Sequence, residues 1–164
     1  MAEKDISSQT TKAPTRLSRR GFLALGAICV VTGGAVTARW FNIWAHAGEN
    51  ALSAPDAHRA AQSGDIVLID IRRPDEWALT GVGEGAVPLD MRRKDFIEAL
   101  MVEVQGDHSR PVALICARGV RSRKQAAKLV DAGFTQIIDV PEGMLGSGAG
   151  PGWIKRGLPV QDAS

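Results

Sequence analysis

The chain has 164 residues, 45% of them hydrophobic, which suits one modest domain with a packed core and an additional segment. Its formal net charge of +2 is uneven, because residues 1–47 carry +4 and residues 48–164 carry −2, so the domain lacks the basic surface of a nucleic-acid-binding protein. With two cysteines, Cys29 and Cys116, the chain cannot build the disulfide framework of a small secreted domain.

Residues 1–47 are typical of a targeting segment. Residues 21–38 carry no charge, and as a helix rising about 1.5 Å per residue they would just cross a bilayer core. The preceding run Ser18-Arg19-Arg20-Gly21-Phe22-Leu23 resembles the bacterial twin-arginine export signal. This resemblance implies the twin-arginine translocase as a partner and the periplasm as the destination. An ordinary secretory signal or signal anchor is the alternative.

Cleavage and retention of this segment are both open. Ala45-His46-Ala47 has the small-x-small form of a cleavage site. Trp40, Phe41 and Trp44 follow the apolar run and would suit the interface end of a retained anchor. The sequence therefore predicts a signal peptide or N-terminal membrane anchor over residues 1–47, and a folded domain over residues 48–164.

The domain alternates predicted helices and strands. Its first helix has Ser53 as its N-cap and ends at Gly64. Alternation of this kind predicts an α/β domain with a central parallel sheet flanked by helices. The further elements follow from apolar runs and helical spacing: strand 65–71, strand 85–90, helix 92–104, strand 111–116, helix 121–133 and strand 135–140.

The stretch LICARGVRSRKQ, residues 114–125, places Cys116 between an apolar strand and the basic start of a helix. In parallel sheets, ligands bind at the carboxyl ends of the strands, and Cys116 lies at such an end. A turn at Gly119 followed by a helix start points backbone N–H groups inward and adds partial positive charge. We therefore expect an anion site with Cys116 at its floor, where the helix and the arginines favour a reactive thiolate.

In these motifs the chain resembles the single-domain rhodaneses, a sulfurtransferase family, over roughly residues 52–160. The segments that carry the resemblance are DIRRPDEW (70–77), GAVPL (85–89), CARGVRS (116–122), AGF (132–134), GW (152–153) and GLPV (157–160).

The chain departs from the family pattern in two places. Gly81-Val82-Gly83 replaces the usual Gly-His-Ile, which we expect to alter packing rather than chemistry. The segment EGMLGSGAGPGW, residues 142–153, is longer and richer in glycine than the common pattern. We expect this segment to form one wall of the active-site mouth.

The resemblance implies two-step sulfur transfer without a metal or cofactor. Cys116 would take sulfane sulfur from an anionic donor such as thiosulfate and pass it from a persulfide to a thiol or to cyanide. Arg118 and Arg121 would bind the donor, while Asp70 and Arg72 would brace the site. The remaining residues that would line the site and hold the persulfide are Ala117, Gly119, Val120 and Ser122.

Two other functions stay open. A phosphatase or arsenate reductase of the related cysteine-loop kind needs five residues between cysteine and arginine, whereas four separate Cys116 from Arg121. The second alternative is a sulfur-relay or binding module that serves a dedicated protein partner. The sequence names neither the physiological donor nor the acceptor.

Overall fold

The structure, a computed structural model, describes residues 50–163. The signal helix, the export motif and the alternative membrane anchor predicted for residues 1–47 lie outside these residues. Among the described residues, no helix combines the length and the apolar character needed to cross a membrane.

Helices and short strands alternate along the described residues, as the apolar runs predicted. The helices are α1 (Ala54–Ser63), α2 (Pro74–Thr80), α3 (Phe96–Glu103) and α4 (Val120–Asp131). The strands are β1 (Val67–Asp70), β2 (Val82–Gly83), β3 (Ala86–Pro88), β4 (Val112–Ile115), β5 (Ile137–Asp139) and β6 (Val160–Gln161).

Four of the strands form a parallel sheet in the order β3-β1-β4-β5. Their carboxyl ends share one edge, so the loops that follow β1, β4 and β5 meet there. The other two strands, β2 and β6, form a separate antiparallel pair. The predicted α/β class with a central parallel sheet is therefore confirmed for the described domain.

The sheet is packed on both faces, as expected for a buried parallel sheet. Side chains of β4 alternate between the faces: Val112 and Leu114 join the cluster under α3 and α4, whereas Ala113 and Ile115 join the cluster on the α1 side. Cys116 continues this alternation and belongs to the α3–α4 cluster. The sulfur is thus set on the face that α4 covers.

The first helix begins and ends where the sequence placed it. The Ser53 hydroxyl accepts a hydrogen bond from the amide of Asp56, and Gly64 follows the helix with φ of 77°. Helix α2 and the β2–β6 pair were missed. None of the seven residues of α2 is buried, so it lacks an apolar stripe, and each strand of the pair has only two residues.

Candidate active site

The loop between β4 and α4 holds Cys116 at its floor. The cysteine is 1% exposed, and its Sγ lies 3.6 Å from the hydroxyl oxygen of the equally buried Ser122. Gly119 turns the chain into α4 with φ of 76°. A Cβ on Gly119 would strike the carbonyl of Pro141, so both the turn and the close approach require glycine here.

The glycine-rich segment that starts at Glu142 lies directly against this loop. The amide of Met144 donates to the Cys116 carbonyl at 2.9 Å, and the amide of Leu145 donates to the Ala117 carbonyl at 2.9 Å. Gly143 has φ of 64°, and a Cβ there would sit 2.5 Å from the Ala117 oxygen. The backbone of this segment thus packs directly on the backbone of the loop at Cys116 and Ala117.

Arg121 is oriented by a carboxylate from helix α2. Its two terminal nitrogens donate to the two oxygens of Glu76, each at 2.6 Å. Burial by itself raises the pKa of Glu76, but hydrogen bonds from Arg121 and Arg73 outweigh it and lower the pKa to about 2. The pKa of Arg121 is raised chiefly by Glu76, with smaller contributions from Cys116. The predicted donor-binding cation is therefore already paired with a carboxylate.

Asp70 and Arg72 form a buried ion pair that holds helix α2. Arg72 Nε lies 2.9 Å from each Asp70 oxygen, and the two side chains are 1% and 0% exposed. The same guanidinium donates to the Thr80 hydroxyl at 2.8 Å and to the Gly81 carbonyl at 2.7 Å. The Asp70–Arg72 pair thus reaches the loop only indirectly. Its hydrogen bonds hold the end of α2, and α2 carries Glu76, which contacts Arg121.

The other predicted loop residues follow Cys116 in the chain and differ in exposure. Arg118 is half-buried and donates to the Gly146 carbonyl at 3.1 Å. Within residues 50–163, the amides of Ala117, Gly119 and Val120 donate to no backbone carbonyl. These three amides belong to the group that the sequence predicted to hold a persulfide.

Asp139 is a further carboxylate, at the end of the strand next to the one that precedes Cys116. It ends β5 beside β4, where it pairs in register with Leu114. The pKa of Asp139 is raised because burial disfavours its charged form, although a hydrogen bond from Ser122 and the charge of Arg123 act against this shift. Its Oδ1 is buried and has no hydrogen-bond partner among the described residues.

Glu76 and Asp139 were not assigned roles from the sequence. Glu76 stands in the acidic-aromatic pair of the quoted DIRRPDEW segment, which was the available signal. Asp139 carries no local signal, because a polar residue at the end of a strand is common. Among the described residues, no three His, Cys, Asp or Glu side chains cluster in a way that would hold a metal ion.

Comparison with known proteins identifies a family and related sequences. The rhodanese-like domain family matches residues 53–146. A sulfurtransferase from Allochromatium vinosum is 31% identical over 104 residues, which are 63% of this chain and 86% of that protein.

Two further similarities differ in how much they cover. A tRNA uridine(34) hydroxylase from Synechocystis is 31% identical over 95 residues, 57% of this chain, but the match spans only 34% of that protein. The solution structure of the polysulfide-sulfur transferase homodimer from Wolinella succinogenes superposes with a TM-score of 0.51 at 26% identity, and the match covers 85% of this chain and 94% of that one.

Proposed function

Because this chain belongs to the rhodanese-like domain family, we propose that it is a sulfurtransferase that carries sulfane sulfur on Cys116 as a persulfide. One observation carries the proposal: a buried cysteine ends a parallel strand under a short loop, with three loop amides that donate to no backbone carbonyl among the described residues. The name of the Allochromatium vinosum relative supports the same reaction class.

The reaction follows from the groups around the sulfur. The Cys116 thiolate attacks the outer sulfur of a donor such as thiosulfate, the donor's S–S bond breaks, and sulfite leaves with the bonding electron pair. The loop amides and the N-terminus of α4 stabilise the terminal anionic sulfur of the persulfide. A thiol or cyanide then attacks that sulfur and regenerates the thiolate.

The two arginines differ in this proposal. Both Arg118 and Arg121 attract the anionic donor, but Arg121 is already hydrogen-bonded to Glu76 when the donor binds. A donor oxygen must therefore share the guanidinium with a carboxylate. The loop carbonyls of Cys116 and Ala117 accept hydrogen bonds from the amides of Met144 and Leu145 in the glycine-rich segment.

The size of the loop favours sulfur over phosphate. Four residues separate Cys116 from Arg121, one fewer than the cysteine-loop phosphatases and arsenate reductases need to surround a tetrahedral oxyanion. The hydroxylase reaction is not proposed, because the chain spans about a third of those relatives. A dedicated protein acceptor is compatible with the same persulfide and would make the chain a sulfur relay.

Export belongs to the same proposal. The motif Ser18-Arg19-Arg20-Gly21-Phe22-Leu23 and the uncharged run 21–38 support transport of the folded domain by the twin-arginine translocase. A folded domain would reach an oxidising compartment with its reactive thiol already enclosed. Retention of residues 1–47 would keep the domain at the membrane.

The decisive experiment is intact mass spectrometry of the full chain after incubation with thiosulfate. We expect a gain of one sulfur atom, which cyanide or a reducing thiol removes. The variant Cys116→Ser should gain nothing, whereas Cys29→Ser should load as the native chain does. Sulfur loading in Cys116→Ser, or none in the native chain with any sulfane-sulfur donor, would overturn the proposal.

A further inference from the structure

Glu142 is a buried carboxylate that receives hydrogen bonds from three separate segments. Its side chain is 3% exposed. Oε1 lies 3.3 Å from the amide nitrogen of Ala54 at the start of α1, and Oε2 lies 3.1 Å from the amide nitrogen of Gly152 near the end of the glycine-rich segment. Arg156 donates from Nε to Oε2 at 2.7 Å and from Nη2 to Oε1 at 3.0 Å. Each carboxylate oxygen therefore accepts two hydrogen bonds.

These hydrogen bonds close the glycine-rich segment on itself. The amide of Gly152 reaches back to the first side chain of the segment. The amide of Trp153 donates to the Gly143 carbonyl at 3.0 Å, so the two ends also pair through their main chains. A Cβ on Gly150 would sit 2.5 Å from the carboxyl carbon of Glu142, so the chain passes close against this side chain. The segment is therefore folded around the Glu142 carboxylate.

The segment also sets the direction of the first peptide group after Cys116. The Cys116 carbonyl accepts a hydrogen bond from the Met144 amide at 2.9 Å. The peptide bonds of the described domain are all trans, and in a trans peptide group the C=O and N–H bonds point in opposite directions. The amide of Ala117 belongs to the same peptide group and is therefore directed away from Met144. This amide donates to no backbone carbonyl within residues 50–163.

We propose that Glu142 is a positioning residue for sulfur transfer: by holding the glycine-rich segment closed, it fixes the orientation in which the Ala117 amide binds the persulfide. This inference rests on the proposed role of Cys116 as the sulfur carrier. Glu142 acts only through the Met144 amide and the Cys116 carbonyl, so no bond to Glu142 forms or breaks during the reaction.

The negative charge of Glu142 suits this role. Burial raises the pKa of Glu142, but hydrogen bonds from Arg156, Gly152 and Ala54 and the charge of Arg156 outweigh it and lower the pKa. The group is therefore a carboxylate at neutral pH, and it meets four N–H donors with acceptors alone. Glutamine has nearly the same shape, but its NH2 group would face two of these donors. Glu142→Gln thus disrupts the hydrogen bonds of the segment with little change in side-chain volume.

The first measurement is amide hydrogen exchange, followed by NMR in the isotopically labelled full chain without sulfur. Opening of the segment exposes the Met144 amide to solvent, so the exchange rate of this amide reports its contact with the loop. We expect the Met144 amide to exchange about tenfold or more faster in Glu142→Gln than in the native chain. The amide of Val67, which donates to the Pro111 carbonyl at 2.8 Å beside the sheet, should change far less.

The second measurement is the single-turnover rate of sulfur loading from thiosulfate. Glu142→Gln leaves Arg118 and Arg121 in the chain, so the thiosulfate concentration that gives half of the maximal rate should not change. The maximal rate should fall by about tenfold or more, because a displaced amide no longer stabilises the terminal sulfur. A loss of donor binding would instead raise the half-saturating concentration.

Val104→Ala is the control for a general loss of stability. Val104 is fully buried in the cluster under α3 and α4, so the change leaves a cavity there but removes no hydrogen bond of the glycine-rich segment. It should lower the free energy of unfolding and preserve the loading rate. Any change in hydrogen exchange should be shared by the Met144 and Val67 amides, unlike the selective change expected in Glu142→Gln.

A Met144 amide that exchanges as slowly in Glu142→Gln as in the native chain would overturn the inference, and so would an unchanged maximal rate. Both results leave a native chain that loads sulfur, so the proposed function would stand. If the native chain loads no sulfur from any donor, the proposed function fails and this inference fails with it. If Glu142→Gln fails to fold, the same two measurements on Arg156→Gln decide, because that variant removes the cation and keeps both amide donors.

Discussion

Arg121 and Glu76 face each other as a matched pair, with both carboxylate oxygens 2.6 Å from guanidinium nitrogens, although 45 positions separate the two residues. The pair has two consequences. It orients Arg121 before any donor arrives, and it cancels most of the positive charge that the sequence assigns to that position. In the proposed reaction the site would therefore rely on geometry and loop amides more than on net charge.

Glu76→Gln should destabilise the domain at neutral pH. The change removes charge-assisted hydrogen bonds, so we expect the free energy of unfolding to fall by about 1.5 kcal/mol in urea titrations. The folded-state pKa, about 2, lies below the ordinary value of 4.5. The stabilisation is therefore complete above pH 4.5 and is lost as the pH falls through 2, so the two proteins should converge in acid.

The control for this variant is Glu98→Gln, which removes an exposed carboxylate from α3. It should change the free energy of unfolding by less than about 0.5 kcal/mol. A gap between the native chain and Glu76→Gln that widened in acid would contradict the role given to the Arg121 pair.

Arg121→Gln should impair the use of anionic donors most. It removes a charge-assisted contact and leaves the negative charge of Glu76 beside the loop, so kcat/KM for thiosulfate should fall about tenfold or more. For an uncharged sulfane-sulfur donor, kcat/KM should fall less. The double variant Glu76→Gln with Arg121→Gln should recover part of the loss, because it removes the unbalanced charge. Equal losses for both donors would exclude a donor-binding role.

Gly143→Ala should disturb the loop more than its backbone strain explains. Gly143 and Gly157 have similar φ of 64° and 68°, but a Cβ on Gly157 meets nothing within 4 Å. We expect Gly143→Ala to lower the free energy of unfolding by about 1–3 kcal/mol more than Gly157→Ala does. Loading of Cys116 should slow in Gly143→Ala alone, and comparable effects of both variants would show that the contact with Ala117 is unimportant.

Arg72→Met should be strongly destabilising, because it leaves the fully buried Asp70 carboxylate without its cation. The expected cost is about 3–5 kcal/mol in denaturant titrations, and Asp70→Asn in the same chain should recover part of it. Arg93→Met, which breaks the exposed pair with Asp95, should cost far less, because solvent screens exposed ion pairs. Similar costs for the two methionine variants would refute the brace.

Changing both Arg19 and Arg20 to lysine should leave the protein in the cytoplasm with its sulfurtransferase activity intact. Twin-arginine recognition depends on the guanidinium pair, and lysine does not replace arginine where forked hydrogen bonding matters. Cell fractionation followed by activity and immunoblot measures the outcome, with Arg16→Lys as the control that is still exported. Normal export of the double-lysine form would indicate a different signal or an anchor.

The sequence predicted what local patterns determine. Apolar runs of four to seven residues located the four strands of the parallel sheet, and the glycine turn after the strand ending at Cys116 indicated the candidate site. The helix expected over residues 92–104 begins only at Phe96, because Arg92 and Arg93 pair with Asp90 and Asp95 in turns before it.

Contacts between distant segments could not be predicted in this way. The pairing of Glu76 with Arg121 requires helix α2, which has no apolar stripe to reveal it. The approach of Asp139 to Ser122 depends on the register between β4 and β5, which follows only once both strands are placed in the sheet. The sequence identified charged candidates such as Arg121, but not the residues that these side chains contact.

Cys116 packs in one cluster with Leu114, Leu129 and Phe134, so the proposed sulfur carrier is also part of the hydrophobic core. A core packed to crystal-like density responds to the addition of a single atom. Empty and sulfur-loaded chains should therefore melt at different temperatures. A calorimetric scan would then resolve a partly loaded preparation into two populations and report the occupancy of the carrier without a label or an enzymatic assay.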